Sequence, residues 1–212
     1  MSLWAYILLA FSSLFVIVDS VGTVPAFLAM TAGNSPEERI RMARLACWVS
    51  AGILLFIALT GMAIFKLFGI TLPAFQIAGS LLLLLIAHDM VRARRSAVHE
   101  TAEEKEAGAN KEDIAITPLA VPMLAGPGAI TTTILLRNRA EGIGQVAALL
   151  AAIVAVCIVS YIILKLAAKG SQWLGPIAMK IMTRLMGLLL AAVAVQFILN
   201  ALRELQPLWA GS

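Results

Sequence analysis

Residues 118–133 read PLAVPMLAGPGAITTT, and the fold turns on how that stretch is taken. It lies inside an apolar run, 114–136, that is long enough to cross a bilayer, since a span needs roughly 20 residues. Yet it holds Pro118, Pro122 and Pro127 and the triplet Gly126-Pro127-Gly128. Proline removes a backbone donor and clashes with the preceding turn, and glycine gives up helix propensity. In hydrocarbon each freed N–H and C=O must find another partner. A helix broken at membrane depth therefore reads as the wall of a buried or watery cavity, as in the discontinuous helices of transporters. A plain proline-kinked spanning helix is the bland alternative.

Working outward, composition sets the class. Of 212 residues, 61% are hydrophobic and 13% charged, against roughly 45–50% and 25% in soluble domains. No short alternating segments suggest a barrel. The expectation is an all-α membrane protein, with apolar runs at 3–30, 45–68, 74–90, 114–136, 143–168 and 174–202. A polar connector at 31–44 separates the first two, and its Ser35-Pro36-Glu37-Glu38 reads as a capped helix start. The N-terminal MSLWAYILLAF has no basic stretch and is read as the first span rather than a cleaved leader. Residues 97–113 form the one soluble-looking segment and are expected to be a linker. The net charge of +4 sits beside apolar runs, which points to topology and the lipid bilayer as partner, with no nucleic acid. About four basic residues fall on one side of six crossings and about twelve on the other. The positive-inside rule then puts the termini outside and the linker in the cytoplasm.

The halves resemble each other. The segment from Ile77, IAGSLLLLLIAHDMV, lies over LMGLLLAAVAVQFIL from Leu185, with Gly79 on Gly187. The first and fourth runs also align, with Pro25 on Pro127, at an offset of roughly 102 against roughly 108 for the other pair. A unit of three spans reverses direction when repeated. The expected architecture is six transmembrane helices as two inverted three-helix repeats, residues 1–96 and 114–212, with helices 1 and 4 broken near the membrane midplane. In the first helix Asp19, Gly22 and Pro25 are the interrupting residues.

Asp19 is the sharpest single residue, because a carboxylate within a span faces a cavity or a partner. A proton carrier, a sodium ligand, an anchor for a substrate ammonium and a simple helix cap all fit it. Arg184, in the sixth span, is the candidate counter-charge, with snorkelling to the surface as the rival; Gln76 holds the matching place in the third. Gly126, Pro127 and Gly128 open a second half-helix whose amides attract an anion such as a carboxylate. Thr131 follows in that half-helix, while Gly22, Thr23 and Pro25 form the corresponding wall in the first span. His88 and Asp89 read as a solvated pair at a span end. Gly61 and Gly79 are candidate packing positions, within one chain or between copies in a homo-oligomer. Cys47 and Cys157 read as small buried hydrophobes. The four tryptophans, Trp4, Trp48, Trp173 and Trp209, read as interface anchors or packing. No group of His, Cys, Asp or Glu has metal spacing, and no P-loop, nucleophile elbow or dinucleotide fingerprint occurs. The reading is a non-enzyme without cofactor, with transport driven by a proton or sodium gradient; a passive channel or an exporter of another small solute is the alternative.

VDSVGTVPAF, SPEER, FGITLPAFQIAGSLLLL, DIAITPLAVPMLAGPGAITTT and RLMGLLLAAVAVQFILNAL are spread along nearly the whole chain, from Val18 to Leu202. They make it similar to the MarC family of integral membrane proteins, which includes small-neutral-amino-acid transporters of the SnatA type. The resemblance implies six spans in the cytoplasmic (inner) membrane and a substrate such as glycine or alanine. The first half departs more from the family pattern than the second. A proline usually follows the acid or amide where Ser20 stands, an asparagine is common at Thr23, and an arginine at Gln76.

Overall fold

The first apolar run winds into two helices that meet at Asp19. α1 (Leu3–Val18) and α2 (Ser20–Met30) are separated by that one residue, which has φ 43° and ψ 56°. Short polar side chains such as aspartate tolerate this left-handed conformation better than branched ones. The Asp19 N–H donates to the Phe15 carbonyl and closes α1, while its carboxylate accepts from the Gly22 N–H at 3.0 Å and opens α2. Gly22 and Pro25, read above as breaks in their own right, lie inside α2. The left-handed residue ends the first helix before the proline is reached. Pro25 then removes one hydrogen bond from a helix that has already restarted.

The computed structural model describes residues 1–31, 33–61, 63–92, 115–170 and 176–210. The expected linker at 97–113 and Trp173 lie outside those residues. α3 (Pro36–Thr60) starts as its sequence suggests: Ser35 Oγ accepts from the Glu38 N–H, and the Glu38 carboxylate accepts from the Ser35 N–H. It absorbs the second half of the 31–44 connector. It stops at Gly61, whose φ of 55° makes it a helix terminator; among the described residues no atom lies within 4 Å of where a Cβ would stand, so the packing role expected of Gly61 is not met within one chain. A short α4 (Ala63–Leu67) leads to α5 (Leu72–Val91), capped by the Thr71 hydroxyl.

The fourth run is broken. α6 (Ala115–Leu124) is wound as a π-helix, ending with the Ala125 N–H on the Ala120 carbonyl at 2.8 Å. α7 (Pro127–Arg139) starts afresh from Gly126. α8 (Gly142–Gly170) and α9 (Pro176–Ala210) are continuous, and α9 runs past the expected end of the last apolar run at residue 202 to Ala210.

Among the described residues, five segments are long and apolar enough to cross a membrane: Leu3–Met30, Pro36–Thr60, Leu72–Val91, Gly142–Gly170 and Ile181–Leu205. The fourth run is not among them, because Ala125 and Gly126 separate its short π-wound piece from α7, whereas in the first run α1 and α2 adjoin across Asp19 alone. The chain is thus an all-helical, multi-pass integral membrane protein. Its outer surface agrees, with Trp4, Leu8, Val16, Trp48, Leu59 and Leu166 all exposed on the helices. In water such a surface would be a sticky liability, whereas lipid solvates it.

α5 packs most extensively on α9, and α3 on α8. α1 and α2 lie against α8, as α6 and α7 lie against α3. Between the two broken segments, α1 meets α7 and α2 meets α6. The buried core runs through Tyr6, Leu14, Phe27, Leu54, Leu119, Ile134, Ile153 and Leu164. Tyr6 adds a hydrogen bond at 2.8 Å to the Leu136 carbonyl, fixing the start of α1 beside the end of α7.

Candidate functional site

The two interruptions lie close together. The Asp19 side chain, however, is exposed rather than turned into a cavity between them as its place within a span suggested, because its carboxylate folds back onto the Gly22 N–H at the start of α2. Gly128, in the first turn of α7, is seated against Ile17, two residues before the break at Asp19, and against Phe197 of α9. A Cβ at Gly128 would stand 2.9 Å from Phe197 Cζ and 3.0 Å from Ile17 Cγ1. At Gly126 a Cβ would run into the Pro122 carbonyl oxygen, so only glycine lets the chain fold back so closely there. Pro127 packs its ring on Gly79 of α5, where a side chain would collide with it. The expected packing role of Gly79 is therefore met within one chain.

Both half-helices begin with N–H groups that have no intrahelical acceptor, although at α7 Pro127 contributes none, which leaves Gly128 and Ala129 as the donors of its first turn. At α2 the chain supplies its own anion, the Asp19 carboxylate. At α7 no side chain makes a capping bond, and Gly126, Pro127 and Gly128 are all buried. Among the described residues, one helix start is thus capped by a side chain and the other is not.

Threonines line both sides. Thr23 is buried and donates to the Asp19 carbonyl at 3.0 Å, which ties α2 back onto the break. Thr131 accepts from Gln76 Nε2 at 3.1 Å and links α7 to α5. Thr133 bonds its own helix at Ala129. Thr131 thus bonds across to another helix while Thr133 bonds back to its own, and the partner Gln76 stood out in the sequence only for its position.

Arg184 is exposed on α9, and among the described residues it forms no salt bridge with Asp19. Its side chain is thus not the partner of that carboxylate in this conformation. His88 and Asp89 stand 3.7 Å apart with His88 more than half exposed, in keeping with a solvated pair. Cys47 and Cys157 are buried free thiols. Sequence reasoning missed the buried hydroxyl pair of Ser20 and Ser160, which joins the first residue of α2 to α8. No local signal marks such a contact, since the partners are 140 residues apart.

A MarC family model, described as MarC family integral membrane protein, matches residues 4–206. The chain belongs to the MarC family. A UPF0056 membrane protein of Methanocaldococcus jannaschii is 42% identical over 93% of this chain and 96% of its own length. The UPF0056 membrane protein YvbG of Bacillus subtilis is 37% identical over 97% and 98%. YhcE of Escherichia coli is 33% identical over 93% and 92%. No solved structure matches the chain. The MarC match includes both interruptions and every candidate residue from Asp19 to Arg184, and it indicates no catalytic function.

Proposed function

We propose that this MarC protein is a secondary active transporter of small neutral amino acids such as glycine and alanine, of the SnatA type. The observation that carries the reading is the buried start of α7, whose first-turn amides after Pro127 have no capping side chain among the described residues and which packs on Ile17 beside the break in the first segment. A substrate carboxylate would take the place there that Asp19 takes at α2. Gly22, Thr23 and Pro25 on one side, and Gly126, Pro127, Gly128 and Thr131 on the other, are its walls. Asp19 is the coupling residue, carrying a proton or binding sodium, and Arg184 is a counter-charge only in a conformation that turns it inward.

Two inverted three-helix units, 1–96 and 114–212, underlie the reading. Support comes from the reciprocal packing: α1 on α7 with α2 on α6, α1 and α2 on α8 with α6 and α7 on α3. It also comes from the caps. Superposing Asp19 on Gly126 gives the first and fourth segments nearly the same offset as Gly79 on Gly187, where the proline-on-proline register did not. The paired breaks then lie near the membrane midplane, with the termini outside the cytoplasmic membrane and the linker inside.

Proteoliposomes loaded with the purified chain, given labelled glycine or alanine under imposed proton or sodium gradients, test this. Concentrative uptake or counterflow is expected. Equilibration without counterflow indicates a passive pore, and no flux of either amino acid removes the proposal.

A further inference from the structure

Gln76 lies one helical turn before Gly79 on α5, on the face turned to α7, and is only 6% exposed. Its amide carries two donor hydrogens on nitrogen and an oxygen with two lone pairs. Nε2 donates to Thr131 Oγ1, and Oε1 has no partner among the described residues. Exchanging the amide's oxygen and nitrogen only moves the deficit, because the Thr131 hydroxyl would then donate to the oxygen and leave the NH₂ group over. Ser80 offers no relief, since its hydroxyl is committed to the Gln76 backbone carbonyl at 2.6 Å. Within a span an unmatched polar atom is costly, and a leucine would fill similar space without it.

We propose that Gln76 is a substrate-binding residue: its unmatched amide oxygen accepts a hydrogen bond from the ammonium group of the amino acid. The inference rests on the transport reading and names the second half of the same site. The ammonium and carboxylate of an α-amino acid hang on one carbon, so their partners must lie close together. They do: Gly79 touches Pro127, the first residue of α7, and Gln76 bonds Thr131 one turn further on. A neutral amide also matches a zwitterion, whose own charges cancel, so no buried counter-ion is needed. Asp19, already engaged at α2, stays available for the coupling ion.

Wild type, Gln76→Leu and Gln76→Glu are compared by alanine uptake in proteoliposomes and by melting in detergent without substrate. Gln76→Leu should melt no lower than wild type, because it removes an unmatched polar atom. It should nevertheless raise KM for alanine about ten- to a hundred-fold, the size of a hydrogen bond to a charged group. Gln76→Glu keeps an acceptor and should restore KM to near the wild-type value. Gln76→Met serves in place of leucine if the branch is not accommodated. An unchanged KM in the apolar variant overturns the inference. So does a joint rise in KM and fall in melting temperature that glutamate does not repair, which marks a structural bond to Thr131. Wild type that moves neither glycine nor alanine removes the transport reading itself, a distinct failure.

Discussion

At the scale of residues, Asp19 performs two tasks with two parts of itself. Its backbone, at φ 43°, ends α1, and its carboxylate starts α2 through the Gly22 N–H. Asparagine caps helices about as well as aspartate and also tolerates the left-handed region. Asp19→Asn should therefore fold, yet lack the negative charge that a proton or sodium ion would neutralise. The expected result is loss of gradient-driven uptake with exchange retained, read by comparing concentrative uptake with counterflow. Unchanged concentrative uptake would remove the coupling role. Asp19→Ala is a different change, losing the cap and placing a Cβ-bearing residue without polar compensation at positive φ. It should lower stability by about 1–2 kcal/mol, measured as a lower melting temperature. Gly126 makes a sharper case, since its neighbour is the Pro122 carbonyl, a backbone atom that no rotamer change moves away. Gly126→Ala should lower the melting temperature well beyond any effect of Gly52→Ala, where nothing lies within 4 Å of the added methyl. Equal behaviour of the two variants would mean that the fold-back at Gly126 is not tight.

At the scale of elements, the seam between α5 and α9 is the most extensive in the molecule, and it is made by close backbone approach. A Cβ at Gly187 would stand 2.9 Å from both the Ala87 carbonyl oxygen and the Val91 nitrogen, so the two helices must part to admit it. In membranes such small-residue contacts replace the hydrophobic drive that holds soluble helices together. Gly187→Ala should lower stability by about 1–3 kcal/mol, and Gly187→Leu should abolish a monodisperse protein in size-exclusion chromatography. An alanine variant with wild-type melting would show that α9 shifts freely on α5. Elements of this kind differ in how far they can be read before any coordinates. The break at Gly126-Pro127-Gly128 and the capping box at Ser35 are local, set by residues within a few positions, and both appear as read. The first break was placed among Asp19, Gly22 and Pro25 without a choice, because proline is the stronger breaker on average while a left-handed aspartate leaves no sequence mark. Gly61 and Gly79 look alike as letters, and only the neighbouring helix separates a terminator from a contact. Gln76 and the Ser20–Ser160 pair needed the packing itself, since their partners are distant in sequence.

At the scale of the whole molecule, the question is which ends share a side of the membrane. The Met1 ammonium lies 3.2 Å from the Glu141 carboxylate, and Gln145 donates to the Met1 carbonyl at 2.9 Å. The beginning of α1 and the end of α7 therefore share one end of the bundle. If the first and fourth segments are broken spans in inverted units, α2 must leave at the opposite end, near Asn34. If α1 and α2 instead form a re-entrant hairpin, Asn34 returns to the side of Met1. The basic residues favour the first arrangement, because Arg39, Arg41 and Arg44 follow Asn34 and positive charge stays in the cytoplasm. Single cysteines at Asn34 and at Glu141, in a Cys47→Ala, Cys157→Ala background, distinguish the two when a membrane-impermeant maleimide is offered to right-side-out and to inverted vesicles. Both native thiols are buried, so their replacement by alanine removes background labelling while changing only small side chains. Asn34→Cys should label only in inverted vesicles and Glu141→Cys only in right-side-out ones. Labelling of both from one side would mean an even number of crossings between them. The paired breaks would then no longer lie in oppositely directed units, and the start of α7 would have no mirrored partner across a shared chamber.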